Sequence, residues 1–420
     1  RLVAEGLVSI RERSAVIVAE GVVAERRRSR ETYGPSPFRA MQNAIASDAA
    51  LPPPFPAFLP GVPALDIFPS SVWSRILAAH GRNMAPDIAG EGMYVGGYPA
   101  LRVALADHLG GARGVDCDPD QVVVTNSARA ALTAVCRLLA RPGDRCLVED
   151  PGYPIAHRII VGCGLEAVPI PVDGAGMDIG ADLPDARLAY VTPTCQMPLG
   201  VSLSPERCDA LLAWARRRRA WVIEDDYDSE FRYAGRPVTS LQQLDPSGRV
   251  IHVGTFAKTM FPSLRVGFVV APRDIAADLA IMVHLGGQEP ALHLQAALAD
   301  FIANGHYAVH IRKARTIYRR RQERLVNALN RELEGIVALS PPPGGISLLV
   351  PLPPDIKALE VQALAARDGL HARAAEYYAL AAEPPNALHL GFAALPDRQI
   401  EPAVAKLGAI IRSLRSGPSR

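Results

Sequence analysis

Cysteine is scarce in this 420-residue sequence, and its six copies show no paired spacing. That argues against both a disulfide framework and a zinc module, and it makes a reducing compartment, the cytoplasm, the expected location. Net charge is equally scarce. The 45 Lys and Arg and the 43 Asp and Glu leave +2, so composition makes no case for a nucleic-acid surface. The arginine runs at 26–28, 216–219 and 319–321 read as solvated helix ends meeting the helix dipole. No apolar run is long enough to span a bilayer and no signal peptide is visible, so no membrane partner is expected. No Gly-x-Gly-x-x-Gly follows the first strand with an acidic residue ending the next, which weakens a nicotinamide-dehydrogenase reading. The chain opens on Arg1 rather than Met, and a segment ahead of it is expected to have been removed or left out.

What remains is a globular balance, 49% hydrophobic and 21% charged, with length for two or three domains. Residues 1–20 read as a helix end stopped at Gly6 and two short strands. Residues 21–57 read as a linker, charged first and then stiffened by Pro52-Pro-Pro-Phe-Pro56. Apolar strands are expected at 121–125, 145–149, 188–192, 221–224, 250–255 and 266–271. Helices are expected at 128–140, 205–219 and 274–285. Such alternation predicts an α/β fold with a mostly parallel sheet and helices on both faces. A long helix at 307–334 then leads to an α+β tail in which strands 346–350 and 388–392 pair.

Two runs carry the chemistry. In Gly254-Thr-Phe-Ala-Lys258-Thr-Met-Phe-Pro-Ser-Leu-Arg265-Val-Gly, a lysine follows a strand, with a hydroxyl three residues before it and an arginine soon after. Pyridoxal phosphate needs such a set: an amine for a Schiff base, and hydroxyl and guanidinium donors for its phosphate. In Glu224-Asp225-Asp-Tyr227-Asp-Ser-Glu-Phe231, Asp225 ends an apolar strand, where open α/β sheets gather ligands. A buried carboxylate there would keep the pyridine nitrogen protonated, and Tyr227 could reach the cofactor's phenolic oxygen. A surface lysine and a helix-capping acidic loop are the plain alternatives for each run alone; their ordered succession favours the cofactor.

These runs occur with Phe58-Leu-Pro-Gly-Val-Pro63, Phe68-Pro, Trp73, Gly97-Tyr-Pro-Ala-Leu-Arg102, Arg113-Gly-Val, Pro142-Gly-Asp, Glu149-Asp-Pro-Gly-Tyr153-Pro and Thr192-Pro-Thr-Cys-Gln-Met-Pro-Leu-Gly200. In that order they resemble the aminotransferase-like domain of MocR/GabR regulators, within the fold-type-I pyridoxal-phosphate proteins. The resemblance implies a large domain at 58–305, whose N-terminal part joins the small domain, and a small α+β domain at 306–420. It implies a seven-stranded type of sheet, a homodimer with shared sites, and a winged-helix remnant at 1–20 whose wing tip carries Arg13 and Ala15 in place of glycines.

It also distributes roles. Ser127, Ala128 and Arg129 open a helix that would seat the phosphate. Ser127 stands where the family has glycine. Arg129 stands where it has glutamine, and either adds a charge to the phosphate or points to solvent. Thr255 and Arg265 match the phosphate donors. Tyr153 matches the aromatic that stacks on the ring, or is a tyrosine packed in a Pro-Gly loop. Lys258 would form the Schiff base and, once displaced, act as base for the α-proton in carbanion chemistry.

Three positions depart from the pattern. His389 replaces the arginine that grips the substrate carboxylate, and histidine reaches less far and cannot fork. The tyrosine that reaches the partner's phosphate falls on Gly92, with Tyr94 a neighbouring substitute. Met197 replaces a polar or aromatic residue beside the cofactor. The leading expectation is an enzyme acting on an amino acid or amine of unusual kind. The alternative is the effector domain of a regulator, with DNA a partner only through an intact upstream winged helix.

Overall fold

The computed structural model describes residues 8–11, 15–18, 56–82, 86–90, 94–180, 183–235 and 238–415. It falls into two units, 1–49 and 50–420. In the first, β1 (Val8–Arg11) and β2 (Ala15–Val18) pair antiparallel, with Arg11 opposite Ala15. The two expected strands therefore form a hairpin. The helix end before it, the tip residue Arg13 and nearly all of the linker lie outside the described residues.

The second unit is built on one sheet. Its strands are β3 (Val122–Thr125), β4 (Arg145–Asp150), β5 (Glu166–Asp173), β6 (Gly176–Met177), β7 (Leu188–Val191), β8 (Trp221–Asp226), β9 (Val250–Thr255) and β10 (Gly267–Val270), in the order β3-β10-β9-β8-β7-β4-β5-β6. Strands β5, β4, β7, β8 and β9 run parallel, and β10 lies antiparallel between β9 and β3. The parallel strands are continuous apolar runs because helices cover both faces. Successive residues still divide between them. Ile223 and Ile251 join the core beneath helices Ala128–Leu139 and Arg273–Leu285, while Val222 and Val250 join the core beneath helix Pro205–Arg218.

Strand β5 was not legible in the sequence because it contains Pro169 and Pro171. The Pro171 carbonyl accepts from Asp178 N–H at 2.8 Å, on the side away from β4. The missing donors of both prolines therefore face away from β4, leaving the β4–β5 ladder intact, on the side where only the short β6 pairs. The eighth strand is only the two-residue β6 hairpin, so the seven-stranded expectation describes the body of the sheet.

The long helix, His306–Glu332, leads into a small antiparallel sheet, β11 (Ser347–Pro351), β12 (Arg373–Ala374) and β13 (Ala387–Gly391), ordered β11-β13-β12. A third core joins this sheet to helix Pro99–Arg113 and to Phe58. Polar bonds reinforce that union. Asp150, ending β4, accepts the N–H groups of Leu380, Ala381 and Ala382 at 2.7–2.8 Å. No helix of the described residues is long and apolar enough to cross a membrane.

Candidate active site

The parallel strands end on one side of the sheet, and their C-terminal ends surround a cavity of about 320 Å³, a volume suited to a small molecule. After β3, Ser127 caps helix Ala128–Leu139, its Oγ accepting from Ala130 N–H at 3.2 Å. The remaining first-turn N–H groups and the helix dipole form an anion seat. Gly267 of β10 permits this approach: a Cβ there would lie 2.7 Å from Ala128 N. Arg265 holds φ at 55°, a left-handed conformation rare for a side-chain-bearing residue, and its Nη2 donates to Ser127 Oγ at 3.4 Å. Arg129 also lines the cavity, as does Thr255, so three of the expected phosphate ligands converge beside the helix end.

Strand β8 ends in three consecutive acids, and strand periodicity sorts them. Glu224 accepts from Ser240 Oγ at 2.8 Å and Leu241 N–H at 2.9 Å, and it pairs with His252. Asp226 pairs with Arg113 at 2.8 Å, both buried. Asp225, pointing the other way, faces the cavity. Its Oδ2 accepts the Tyr190 hydroxyl at 2.5 Å, while its Oδ1 is buried without a partner. Burial raises its pKa to about 6, opposed by the Tyr190 hydrogen bond. A protonated ring nitrogen would satisfy that oxygen and hold the carboxylate ionised.

Lys258 follows β9, with its Nζ donating to the Gly61 carbonyl at 2.7 Å. Burial, helped by Arg129, lowers its pKa to about 8, while Asp228 and Asp225 oppose the shift. Tyr153, Met197 and Tyr227 complete the wall. The Tyr227 hydroxyl donates to the Cys195 carbonyl at 2.8 Å, so its single proton serves the loop rather than a ligand. Ten of the twelve expected residues therefore line one cavity: Ser127, Ala128, Arg129, Tyr153, Met197, Asp225, Tyr227, Thr255, Lys258 and Arg265.

His389 and Tyr94 are not in that wall. The His389 ring lies between the Tyr378 hydroxyl at Nδ1 and Ser347 Oγ at Nε2, both at 2.6 Å. Burial, with the charges of Arg373 and Lys258, lowers its pKa to about 3, so it is neutral and both nitrogens are engaged. Tyr94 packs edge-on against Tyr98, and Gly92 lies outside the described residues. Tyr190 was missed from the sequence, though a phenol in the apolar run Leu188–Val191 is itself a signal, since a buried hydroxyl needs a partner.

Residues 78–407 match the family Aminotransferase class I and II. The chain belongs to this family. Its curated relatives include the probable rhizopine catabolism regulatory protein MocR of Rhizobium meliloti, 41% identical over 353 residues, spanning 83% of this chain and 71% of the relative. The pyridoxine biosynthesis transcriptional regulator PdxR of Corynebacterium glutamicum is 35% identical over 348 residues, 82% of this chain and 73% of the relative. Among solved structures, the multiple substrate aminotransferase of Thermococcus profundus superposes with a TM-score of 0.77 at 25% identity, covering 92% of this chain and 96% of that one. The α-aminoadipate aminotransferase LysN of Thermus thermophilus, complexed with N-(5′-phosphopyridoxyl)-L-leucine, shares the fold with a TM-score of 0.79 at 23% identity, covering 91% of this chain and all of that one. This aminotransferase-family chain is a fold-type-I protein, and its cofactor is pyridoxal 5′-phosphate. The unpartnered Asp225 oxygen, the helix end with Arg265, and the Lys258 amine fit that group on chemical grounds.

Proposed function

We propose that this chain carries pyridoxal phosphate on Lys258, takes up a primary amine at the same place, and serves as the effector-responding domain of a MocR-type transcriptional regulator. One contrast carries the reading. The cofactor half of the cavity is fully equipped, whereas the position expected to hold a substrate carboxylate is a neutral histidine tied to Tyr378 and Ser347. Capture of an amine needs only the first half. The similarity to MocR and PdxR and the β1–β2 hairpin support the regulatory setting.

Residues 127–129, Thr255 and Arg265 would hold the phosphate, Asp225 the ring nitrogen, and Tyr153 a ring face. When bound, the cofactor offers primary amines an electrophilic carbon and withdraws electrons from the carbon beside the amine nitrogen. Lys258 is prepared for exchange: at a pKa of about 8 roughly a tenth of it is uncharged at pH 7, several hundred times more than for an ordinary lysine. Tyr190, in the same cavity wall, donates to Asp225 Oδ2 and would hold the carboxylate in place for the ring nitrogen.

Catalytic turnover is the second reading, favoured by that same lysine. Once displaced, its uncharged amine could take the proton beside the substrate nitrogen. A homodimer is expected in either case, and DNA contact would belong to segments ahead of β1. The test adds primary amines and amino acids to the cofactor-loaded protein, following the visible band and any carbonyl product. Regulation predicts a reversible band shift without product. Carbonyl formed in excess of the cofactor, with a 2-oxo acid present as amino acceptor, would favour the enzyme, and an unresponsive band would overturn both.

A further inference from the structure

The far face of β8 carries a second polar cluster, which the proposed chemistry does not touch. Asp226 points there, opposite to Asp225. Arg113, the last residue of helix Pro99–Arg113, reaches it: Nε donates to Asp226 Oδ2 at 2.8 Å and Nη2 to Thr194 Oγ1 at 3.3 Å. Thr194 belongs to the loop that follows β7, so one guanidinium ties together the ends of two neighbouring strands. His252 of β9 stands opposite Glu224 in the register, with Nδ1 3.2 Å from Glu224 Oε2 and Nε2 3.9 Å from Asp226 Oδ2. These four charged side chains are nearly sealed from solvent, Arg113 at 7% being the most exposed. A chamber of about 30 Å³, room for one water, adjoins Arg113, Asp226 and His252. Thr255 and Tyr227 line both this chamber and the cofactor cavity, so the cluster lies directly behind the cofactor wall.

Three consecutive acids at a buried strand end repel one another, and a carboxylate left there without a counter-ion takes up a proton. Glu224 has His252 and Asp226 has Arg113, whereas Asp225 forms no ion pair among the described residues. Around Asp225, burial and the Asp226 charge act against ionisation, while Tyr190, Lys258 and His252 act for it. Glu149, Tyr227 and Asp228 also lie within its field. We propose that Arg113 is a positioning residue for the cofactor: behind the sheet it holds and neutralises Asp226, so that Asp225 alone of the three acids presents its charge to the ring nitrogen. This rests on the reading that Asp225 meets that nitrogen. Arginine suits the task because its charge is permanent. Burial works against that charge, and Asp226 outweighs burial.

The test removes one charge, then both. In cofactor-free protein carrying carbon-13 in its aspartate carboxyl groups, the Asp225 signal is assigned by its loss in Asp225→Asn and titrated by NMR. Asp226→Asn keeps an acceptor for Arg113 but leaves the guanidinium uncompensated, and the Asp225 midpoint should fall by about one pH unit. Adding Arg113→Gln to Asp226→Asn removes the stray charge and should reverse more than half of that fall. Arg113→Gln alone makes the opposite imbalance and should raise the midpoint. In protein loaded with ring-nitrogen-15 cofactor at pH 8, the nitrogen resonance should lie nearer the neutral-pyridine position in Asp226→Asn than in the wild type or the double variant. A pair that served only the fold would lower stability and move neither signal. An Asp225 midpoint that ignores Asp226→Asn, a double variant displaced as far as the single one, or a ring resonance alike in all three proteins would overturn the proposal. The titration needs no cofactor, so it can fail while the amine test succeeds, and the reverse.

Discussion

Gly61 and Lys258 are in direct contact: the glycine carbonyl accepts from the lysine Nζ at 2.7 Å, and a Cβ on Gly61 would lie 2.6 Å from that nitrogen. Gly61 also holds φ at 75°, which side-chain-bearing residues adopt at a cost. The segment is pinned to the small domain, with the Ala57 carbonyl accepting from His371 N–H and the Phe58 carbonyl from Gly391 N–H, each at 2.8 Å. Gly61→Ala is therefore expected to displace the amine as well as strain the turn. Stability should fall by about 1–2 kcal/mol, and covalent cofactor capture should slow at least about tenfold. Stopped-flow absorbance after adding the cofactor measures the second effect; an unchanged rate would mean that the segment yields instead of the lysine.

Asp225 predicts a pH dependence of definite sign. Its folded pKa of about 6 lies above the ordinary 3.8, so the folded, cofactor-free protein holds this proton more tightly than the unfolded chain. The stability this supplies is present below about pH 4 and lost as pH rises through about 6, costing up to about 3 kcal/mol by pH 8. Asp225→Asn removes that loss. Cofactor-free Asp225→Asn should be more stable than the wild type at pH 8 and not at pH 4, yet bind the cofactor more weakly. Urea unfolding at both values decides it.

Arg129 supplies the positive field that opposes a charged Lys258. Replacing it with glutamine should raise the lysine pKa above its value of about 8. The pH profile of covalent capture should then move upward, with little change in its plateau. A midpoint that stays in place would assign Arg129 to solvent or to the phosphate alone.

A neutral His389 leaves the proposed amine site with weak preference for carboxylates. An α-amino acid and the amine that lacks its carboxyl group should bind within about tenfold of each other, since no charge-assisted pair forms at this position. Their ratio should stay flat from pH 5 to pH 9, because the ring stays unprotonated above about pH 3. Band-shift titrations with matched pairs measure this, and a ratio that climbs as pH falls towards 5 would show a titrating histidine.

The cofactor half of the site was legible because each residue sits at a strand end or helix start that its own sequence specifies. Val250–Thr255 is an apolar run that must be a buried strand, so Lys258 lands on the ligand side of the sheet. Asp225 is picked out from Glu224 and Asp226 only by strand parity together with partners 16 or more residues away, such as Ser240 and Arg113. The isolation of His389 was not legible. Its partners, Ser347 and Tyr378, come from a strand and a turn whose register no local pattern fixes. The Gly61 contact was equally hidden, since it joins residues 197 positions apart.

The turn after Tyr378 supplies the last prediction. Asp150 Oδ1 accepts from Leu380 N–H, and Oδ2 from Ala381 and Ala382 N–H, while Gly152 N–H donates to the Tyr378 carbonyl at 2.9 Å. Four bonds thus fasten the end of β4, which leads to Tyr153, to the turn that holds His389. Asp150→Ala leaves three donors without their acceptor. Leu380 is about half exposed, so water recovers part of the loss, and the expected cost is about 2–4 kcal/mol. A merely local defect would stop there. If the turn positions Tyr378, amide exchange should quicken at 380–382 and also at 389, where the ring loses its anchor. Tyr378→Phe, which deletes only the hydroxyl, should reproduce the change at 389 while leaving 380–382 protected. Exchange confined to 380–382 in Asp150→Ala would show that the strand end and the histidine are not coupled through this turn.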